Sequence, residues 1–217
     1  MEVWSYCHQD ASGSVNFLLE TRKVPMRYAP EHNEATRERI LDAASRLFRE
    51  HGVAAVGLAK IMAEADLTVG TFYTHFDSKE ALLRETLLRT LQDRHEALEQ
   101  ELRGGDLQMA VRTYLSPDHR DAPGTGCPVA ALASEVGRHP RATRRTFASH
   151  VEPTLDALAV WLSSRRGKEL GRADAAAFMG LLAGTLQLAR ATPDRAESDA
   201  ILEAGIRAAL RLTHGDG

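Results

Sequence analysis

One short segment of the chain, residues 69–79, gathers side chains that suit contact with a nucleic acid. Gly70 and Thr71 are small enough to let the backbone approach a base edge, and the Thr71 methyl group could pack on a thymine methyl group. Hydroxyl, imidazole and ammonium donors of the kind that hold a protein on phosphates follow close behind. The candidate DNA-contacting residues of this segment are Val69, Gly70, Thr71, Tyr73, Thr74, His75 and Lys79.

A second feature with chemical potential is Cys127, in the sequence GTGCPVAALASEV. Pro128 suits the first turn of a helix, so Cys127 falls at or beside the helix N-cap. Unpaired amide donors and the helix dipole at that position would favour a thiolate and make the thiol more reactive toward electrophiles or oxidants. The alternative is a small buried residue that fills a helix junction. Cys7 lies 120 positions away, which argues against a disulfide framework or a zinc site.

The histidines of the C-terminal half give no sign of a metal or catalytic site. His119, His139, His150 and His214 are scattered, with no acidic or cysteine partners at ligand spacing. Asp118 and His119 lie in a loop rich in proline and glycine, where we expect both side chains to be solvated. We therefore expect no metal, no cofactor and no catalytic residue, and an enzyme built on a helical bundle is a weak rival hypothesis.

The segments that position these residues all carry helical patterns. Within residues 34–50 the apolar side chains of Ile40, Leu41, Ala44, Leu47 and Phe48 follow the spacing of an amphipathic helix. A second short helix starts after Gly57, residues 66–68 form a turn, and Thr68 caps a third helix, VGTFYTHF. Phe72 and Phe76 are spaced to face inward. Ser78 caps a fourth helix, which ends at Gly104.

The rest of the chain continues in the same manner. Helices are predicted over residues 106–116, 128–138, 141–165, 172–191 and 198–213. No alternating apolar run bounded by turn residues is found, so strands are not expected. The predicted fold is all-α with about nine helices. Residues 30–80 form a three-helix helix-turn-helix domain, and residues 81–217 form a helical domain for effector binding and dimerisation.

Charge and the N-terminus constrain these hypotheses. The net charge is −3, and residues 26–80 hold seven Lys or Arg against nine Asp or Glu, so DNA binding must rest on geometry rather than on a basic surface. Residues 1–29 are expected to be a disordered extension or a partly ordered arm, and translation could begin at Met1 or Met26. With no secretory signal and no apolar run of membrane-spanning length, the expected location is the cytoplasm.

The stretch ILDAASRLFREHGVAAVGLAKIMAEADLTVGTFYTHFDSKEALL resembles the N-terminal domain of the tetracycline-repressor family over its whole length. The matching marks are A-x-x-L-F-x-x-x-G, I-M-x-x-A-x-L-T and T-F-Y-x-H-F-x-S-K-E-A-L. The chain departs from many members at Gly57, where serine or threonine is common, and at Val69, where a basic or polar residue is common. The resemblance implies operator contacts, to the backbone and a few bases, from Thr68, Val69, Thr71, Tyr73, Thr74, His75 and Lys79.

The same resemblance implies a homodimer on palindromic double-stranded DNA, with a helical ligand-binding domain behind the recognition helices. Helices 172–191 and 198–213 would then form the dimer interface, and an inducer or a thiol-reactive effector would release the repressor. GCP at residues 126–128 is similar to a branch that includes repressors answering reactive electrophiles. A transcriptional activator of the same fold is the open alternative. The candidate effector-sensing residues are Cys127, Met109, Tyr114, Phe147, His150, Trp161 and Met179.

Overall fold

The computed structural model describes residues 30–104 and 106–213; for residues 30–32 and 107 it describes the helix but not the side chain. By internal contacts the chain divides into Met1–Glu34 and Ala35–Gly217. Of the first unit only the start of a helix is described, so the extension predicted over residues 1–29 lies outside the described residues. All sites discussed below belong to the second unit.

The described residues are helical and contain no strand, as predicted. Ten helices follow in order: α1 Pro30–His51, α2 Leu58–Glu64, α3 Val69–Phe72, α4 Lys79–Arg103, α5 Leu107–Tyr114, α6 Pro117–Asp121, α7 Pro128–Val136, α8 Arg141–Arg166, α9 Arg172–Ala191 and α10 Arg195–Thr213. No helix in this part of the chain is long and apolar enough to span a membrane.

Two differences from the predicted helices have local causes. The third helix ends at Phe72 rather than Phe76, and residues 73–75 continue as turns. α6 lies where only a loop was expected. It forms because the Ser116 side chain accepts a hydrogen bond from the His119 amide at 3.1 Å, and because Pro117 fits the first turn of a helix.

The N-terminal helices share one apolar core with parts of the C-terminal half. From α1 the residues Ile40, Leu47 and Phe48 are buried, and α1 stops at Gly52, whose φ of +82° belongs to the left-handed region that glycine tolerates. The same core includes Leu132 of α7 and Val151 of α8. The helices predicted to bind DNA are therefore packed directly against helices of the C-terminal half.

A second core fills the C-terminal half between α5, α7, α8, α9 and α10, and it contains Cys127 and Trp161. α10 approaches α9 closely at Gly205, where an added Cβ atom would lie 2.3 Å from Thr185 Cγ2. Only glycine fits at this position without a shift of the neighbouring helix.

Polar contacts tie α7 and the start of α8 to the N-terminal helices. The Glu135 carboxylate accepts hydrogen bonds from the backbone amides of Val53 (2.8 Å) and Ala54 (2.5 Å) in the turn between α1 and α2. The Glu80 carboxylate in the first turn of α4 accepts one from Thr143 Oγ1 and lies 3.0 Å from His139 Nδ1. Burial opposes ionisation of Glu80, but these partners together hold its pKa below the usual value.

Candidate DNA-binding surface and effector cavity

The turn between α2 and α3 is fixed by a left-handed residue. Asp66 has φ +53°, and its amide donates to the Ala63 carbonyl at 3.1 Å, while the Leu67 amide donates to the Met62 carbonyl at 2.8 Å. This pair of hydrogen bonds is the Schellman ending of a helix, with aspartate in the position that glycine usually takes. The turn therefore sets the direction in which α3 leaves α2.

α3 is anchored from below by two phenylalanines. Phe72 and Phe76 are buried, and their rings stack with centroids 5.6 Å apart. Tyr73 lies between them in sequence and packs its edge against Phe72, yet it is 65% exposed. An exposed aromatic residue that caps a short, firmly packed helix is available to a partner at little entropic cost.

Most of the predicted DNA-contacting residues share this exposed surface. Thr68, Val69, Gly70, Tyr73 and Thr74 are exposed, whereas Thr71, His75 and Lys79 are half-buried. Lys79 is the residue whose surroundings differ most from the expectation. Its ammonium group donates a hydrogen bond to the Val53 carbonyl at 2.5 Å and lies 6.0 Å from the centre of the Phe48 ring. At least one of its donors therefore stabilises the α1–α2 turn instead of facing outward.

The arginines near this surface already have acidic or carbonyl partners. Arg37 pairs with Glu85, and Arg46 pairs with both Glu50 (3.2 Å) and Glu64. Arg39 donates to the Ala65 carbonyl and lies 4.0 Å from the Asp66 carboxylate. Arg89 of α4 pairs with Glu38 and Asp42, each at 2.6 Å. Partners within the protein therefore largely neutralise these guanidinium groups. This agrees with the excess of acidic over basic residues in residues 26–80.

A cavity of about 730 Å³ lies beneath the N-terminal helices. Its walls come from the second half of α1, the middle of α4, α5 and the segment leading into α7, and they include Cys127. Cys127 is the N-cap of α7, as the GCP sequence predicts, and its side chain is buried. The thiol therefore stands at a helix N-terminus beside a space large enough for a small molecule.

Tyr114 and His119 surround Cys127 on the cavity side. His119 Nδ1 lies 2.7 Å from the Tyr114 carbonyl and must donate to it, while His119 Nε2 accepts a hydrogen bond from the Cys127 amide at 2.9 Å. These two bonds fix the neutral tautomer, and burial, with Arg190 and Arg94 nearby, lowers the pKa of His119. The structure contradicts the expectation that His119 is solvated, although Asp118 is exposed as expected.

The Tyr114 hydroxyl is buried and has no hydrogen-bond partner among the described residues. Burial, with Cys127 beside it, raises the pKa of Tyr114 well above its usual value, so the phenol stays protonated and can donate a hydrogen bond. A buried donor without an acceptor costs free energy that a bound molecule with a suitable oxygen would recover. Tyr114 was among the predicted effector-sensing residues and meets Cys127 in this cavity.

Arginines that the sequence did not single out add positive charge here. Arg49 donates to the Gly124 carbonyl (2.8 Å) and to Ser45 Oγ (2.7 Å), and burial lowers the pKa of Arg49. Burial would also lower the pKa of Arg94, but two hydrogen bonds to Glu101 raise it. Their position is a property of the fold, because α1, α4 and the α6–α7 segment are far apart in the chain.

The other predicted effector-sensing residues lie elsewhere. Met109 is 62% exposed and does not line the cavity, and His150 Nδ1 is satisfied by the Thr146 carbonyl at 2.8 Å within α8. Phe147 packs against the N-terminal core, as does Met179. Trp161 shares the second core with Cys127 but lines a separate cavity of about 670 Å³ between α4 and α8. Its buried Nε1 has no hydrogen-bond partner within residues 30–104 and 106–213.

Comparisons with known proteins agree with this geometry. Residues 40–86 match the family model of "Bacterial regulatory proteins, tetR family". The chain is 38% identical over 73 residues to the HTH-type transcriptional regulator TtgR of Pseudomonas putida, which covers 34% of each protein. The chain thus spans about a third of the length of the curated relatives it matches.

Solved structures extend the similarity to most of the chain. A TetR-family transcriptional regulator of Streptomyces coelicolor, SCO4454, shares 26% identity with a TM-score of 0.60, covering 82% of this chain and 95% of that protein. The reduced form of E. coli NemR shares the fold at 21% identity with a TM-score of 0.67, covering 82% and 96%. TtgR and SCO4454 are both transcriptional regulators by name. Residues 40–86 thus match the N-terminal domain model of the tetR family of bacterial regulatory proteins, within a chain whose fold resembles solved regulators of that family.

Proposed function

We propose that this chain is a transcriptional repressor whose homodimer binds a palindromic operator through α3 of each copy. The observation that carries the proposal is the exposed surface of α3 and the turn after it. Val69 and Tyr73 are exposed on this surface, while Phe72 and Phe76 are buried. A short helix held this firmly can enter a major groove without rearrangement. The excess of acidic over basic residues in residues 26–80 does not oppose this role, because residues 40–86 match the family model of bacterial regulatory proteins.

The homodimer is supported by the surface of α9. Ala176, Ala177 and Gly180 are exposed on this helix, Gly184 is half-buried, and Leu188 is 63% exposed. An added Cβ at either glycine would have no atom of the described part of the chain within 4 Å, so a second copy could approach closely there. Burial of this uncharged face against its symmetry mate would give the two recognition helices a fixed separation.

Tyr73→Ala tests the DNA-binding proposal. The duplex is obtained by selecting from a random-sequence pool with the unmodified protein, and its affinity is then measured for each variant. Loss of a hydrogen bond to a charged phosphate costs about 1.5–3 kcal/mol, so affinity should fall at least about tenfold, with unchanged unfolding and oligomeric state. Tyr73→Phe separates the hydroxyl from the ring, since it removes the same hydroxyl group but keeps the ring, and it should lose affinity to a similar extent. Unchanged affinity of Tyr73→Ala would show that α3 is not the recognition helix.

The proposed effector site is the cavity beside Cys127. An effector that occupies it separates α1 and α4 from α7 and so changes the recognition-helix separation; it needs only to bind the released conformation more tightly. A thiol-reactive effector would add Cys127 across an activated double bond. Sulfur bonds to one alkene carbon and the thiol proton ends on the other, with no leaving group. Tyr114 would donate a hydrogen bond to the activating carbonyl oxygen.

N-ethylmaleimide tests the thiol-reactive form of this proposal. In a Cys7→Ser background Cys127 is the sole remaining thiol, since the chain has two cysteines. Modification confirmed by mass should lower operator affinity, and the Cys127→Ser control should keep its affinity after the same treatment. Full modification of Cys127 with unchanged affinity would exclude thiol sensing.

An in vitro transcription assay distinguishes a repressor from an activator. Transcription from the operator should fall with added protein, and a rise would indicate an activator.

A further inference from the structure

The hydroxyl groups around α3 are largely occupied within the protein. The Thr68 and Thr71 hydroxyls lie 3.2 Å apart, so one donates its hydrogen to the other. The Thr74 hydroxyl donates to the Thr71 carbonyl at 2.7 Å. Two of the three threonine hydroxyl hydrogens are thus committed before DNA binds, and the Tyr73 hydroxyl lies beyond the end of α3. The helix has little capacity left to donate hydrogen bonds to base edges.

The residues that usually read bases by paired hydrogen bonds are also missing. No arginine, lysine, asparagine or glutamine occurs within residues 66–78, and these are the side chains that recognise guanine or adenine through two hydrogen bonds. The exposed surface of α3 instead presents Val69, which is 41% exposed, and Gly70. Of the residues that the structure describes, an added Cβ at Gly70 would meet only Thr68 Oγ1, at 3.9 Å, so they leave the space in front of this backbone open.

An apolar side chain at the start of a recognition helix has one complementary group in the major groove. Thymine carries a C5-methyl group there, whereas the other three bases present only hydrogen-bonding atoms and C–H edges. We propose that each operator half-site is read by packing thymine C5-methyl groups against Val69, next to the open backbone of Gly70. This inference rests on the proposed DNA-binding function and names the chemistry by which α3 selects its sequence.

The size of the effect follows from the methyl group itself. Burial of one methyl group changes affinity about fourfold, the equivalent of transferring one CH₂ out of water. A symmetric operator presents the same position twice, so removal of the methyl from both half-sites should weaken binding about sixteenfold. Selectivity of this kind is modest per position and depends on shape rather than on charge.

Deoxyuridine substitution measures the methyl contribution alone, since uracil keeps the hydrogen-bonding edges of thymine. In the selected duplex, each symmetric pair of thymines is replaced by deoxyuridine, and affinity for the full-length protein is measured. We expect one or two positions per half-site at which affinity falls about sixteenfold, with smaller changes elsewhere. At those positions, a 5-methylcytosine–guanine pair should bind more tightly than the cytosine–guanine pair.

Protein variants assign the effect to Val69. Val69→Ala should bind the thymine duplex more weakly and should lose most of the deoxyuridine penalty, whereas the matched control Tyr73→Phe should keep it. Tight binding with no position at which deoxyuridine weakens affinity more than twofold would overturn the inference and leave the proposed function intact. A full penalty retained in Val69→Ala would overturn the assignment to this residue. Failure to select any specific duplex would overturn both proposals.

Discussion

Glu135 holds the turn between α1 and α2, and its replacement should lower the free energy of unfolding. In Glu135→Ala the amides of Val53 and Ala54 lose a charged acceptor at 2.8 and 2.5 Å. A hydrogen bond to a charged group contributes about 1.5–3 kcal/mol. The Ala54 amide can bond to water instead because Ala54 is exposed, whereas Val53 is buried. We therefore expect the free energy of unfolding to fall by about 2–4 kcal/mol.

Urea unfolding at a fixed protomer concentration measures this loss, and hydrogen exchange measures it locally. The amide protons of Val53 and Ala54 should exchange faster, with smaller changes in α9 and α10. Glu152→Ala is the matched control: Glu152 is exposed and pairs with Arg172 at 3.4 Å, so it should cost less than about 1 kcal/mol. Equal losses of stability in the two variants, with unchanged exchange at the turn, would refute the assigned role of Glu135.

Three further predictions follow from features described above. The folded-state pKa of His119 is lowered, so protonation of His119 opposes folding, and the free energy of unfolding should decrease as pH falls below about 6.5. In urea titrations His119→Asn should show a smaller decrease. An equally steep decrease in the variant would contradict this. Gly205→Ala should destabilise the chain by about 1–3 kcal/mol, because its methyl group would contact Thr185. Adding Thr185→Ser should restore part of that stability in thermal unfolding. No rescue by Thr185→Ser would argue against the contact. The logarithm of operator affinity should fall with the logarithm of salt concentration with a slope shallower than about −5, the value for roughly six phosphate contacts, and a steeper slope would contradict the paired state of the arginines.

The N-terminal helices could be predicted because their signals are local. Gly52 ends α1, Ser78 caps α4 through the Ala81 amide at 3.1 Å, and Phe72 and Phe76 are buried as their spacing indicates. The start of α6 was also encoded locally, by Ser116 before a proline, but the many turn-forming residues around it favoured a loop. Such cases depend on short-range hydrogen bonds and side-chain periodicity, which a sequence displays directly.

The partners of single polar residues could not be predicted in this way. His119 was expected to be solvated, yet its ring bridges the Tyr114 carbonyl and the Cys127 amide, an arrangement that depends on how α6 and the start of α7 fold back together. Lys79 matches a DNA-contacting position of the family, but its distance from the Val53 carbonyl is decided by the α1–α2 turn. Arg49 could not be assigned a role from the sequence, because its partner Gly124 lies 75 residues away in the chain.

The placement of α7 carries a consequence for how operator and effector compete. The helix has nine residues and is about 13 Å long, with Cys127 capping one end and Glu135 in its last turn. α7 thus touches both the cavity and the turn that leads into α2, the helix before α3. Binding free energies are reciprocal. If an effector lowers the operator affinity by some factor, operator DNA must lower the effector affinity by the same factor. Operator occupancy would therefore lower the affinity of the cavity for an effector, and a repressor bound to its DNA should need a higher effector concentration to respond.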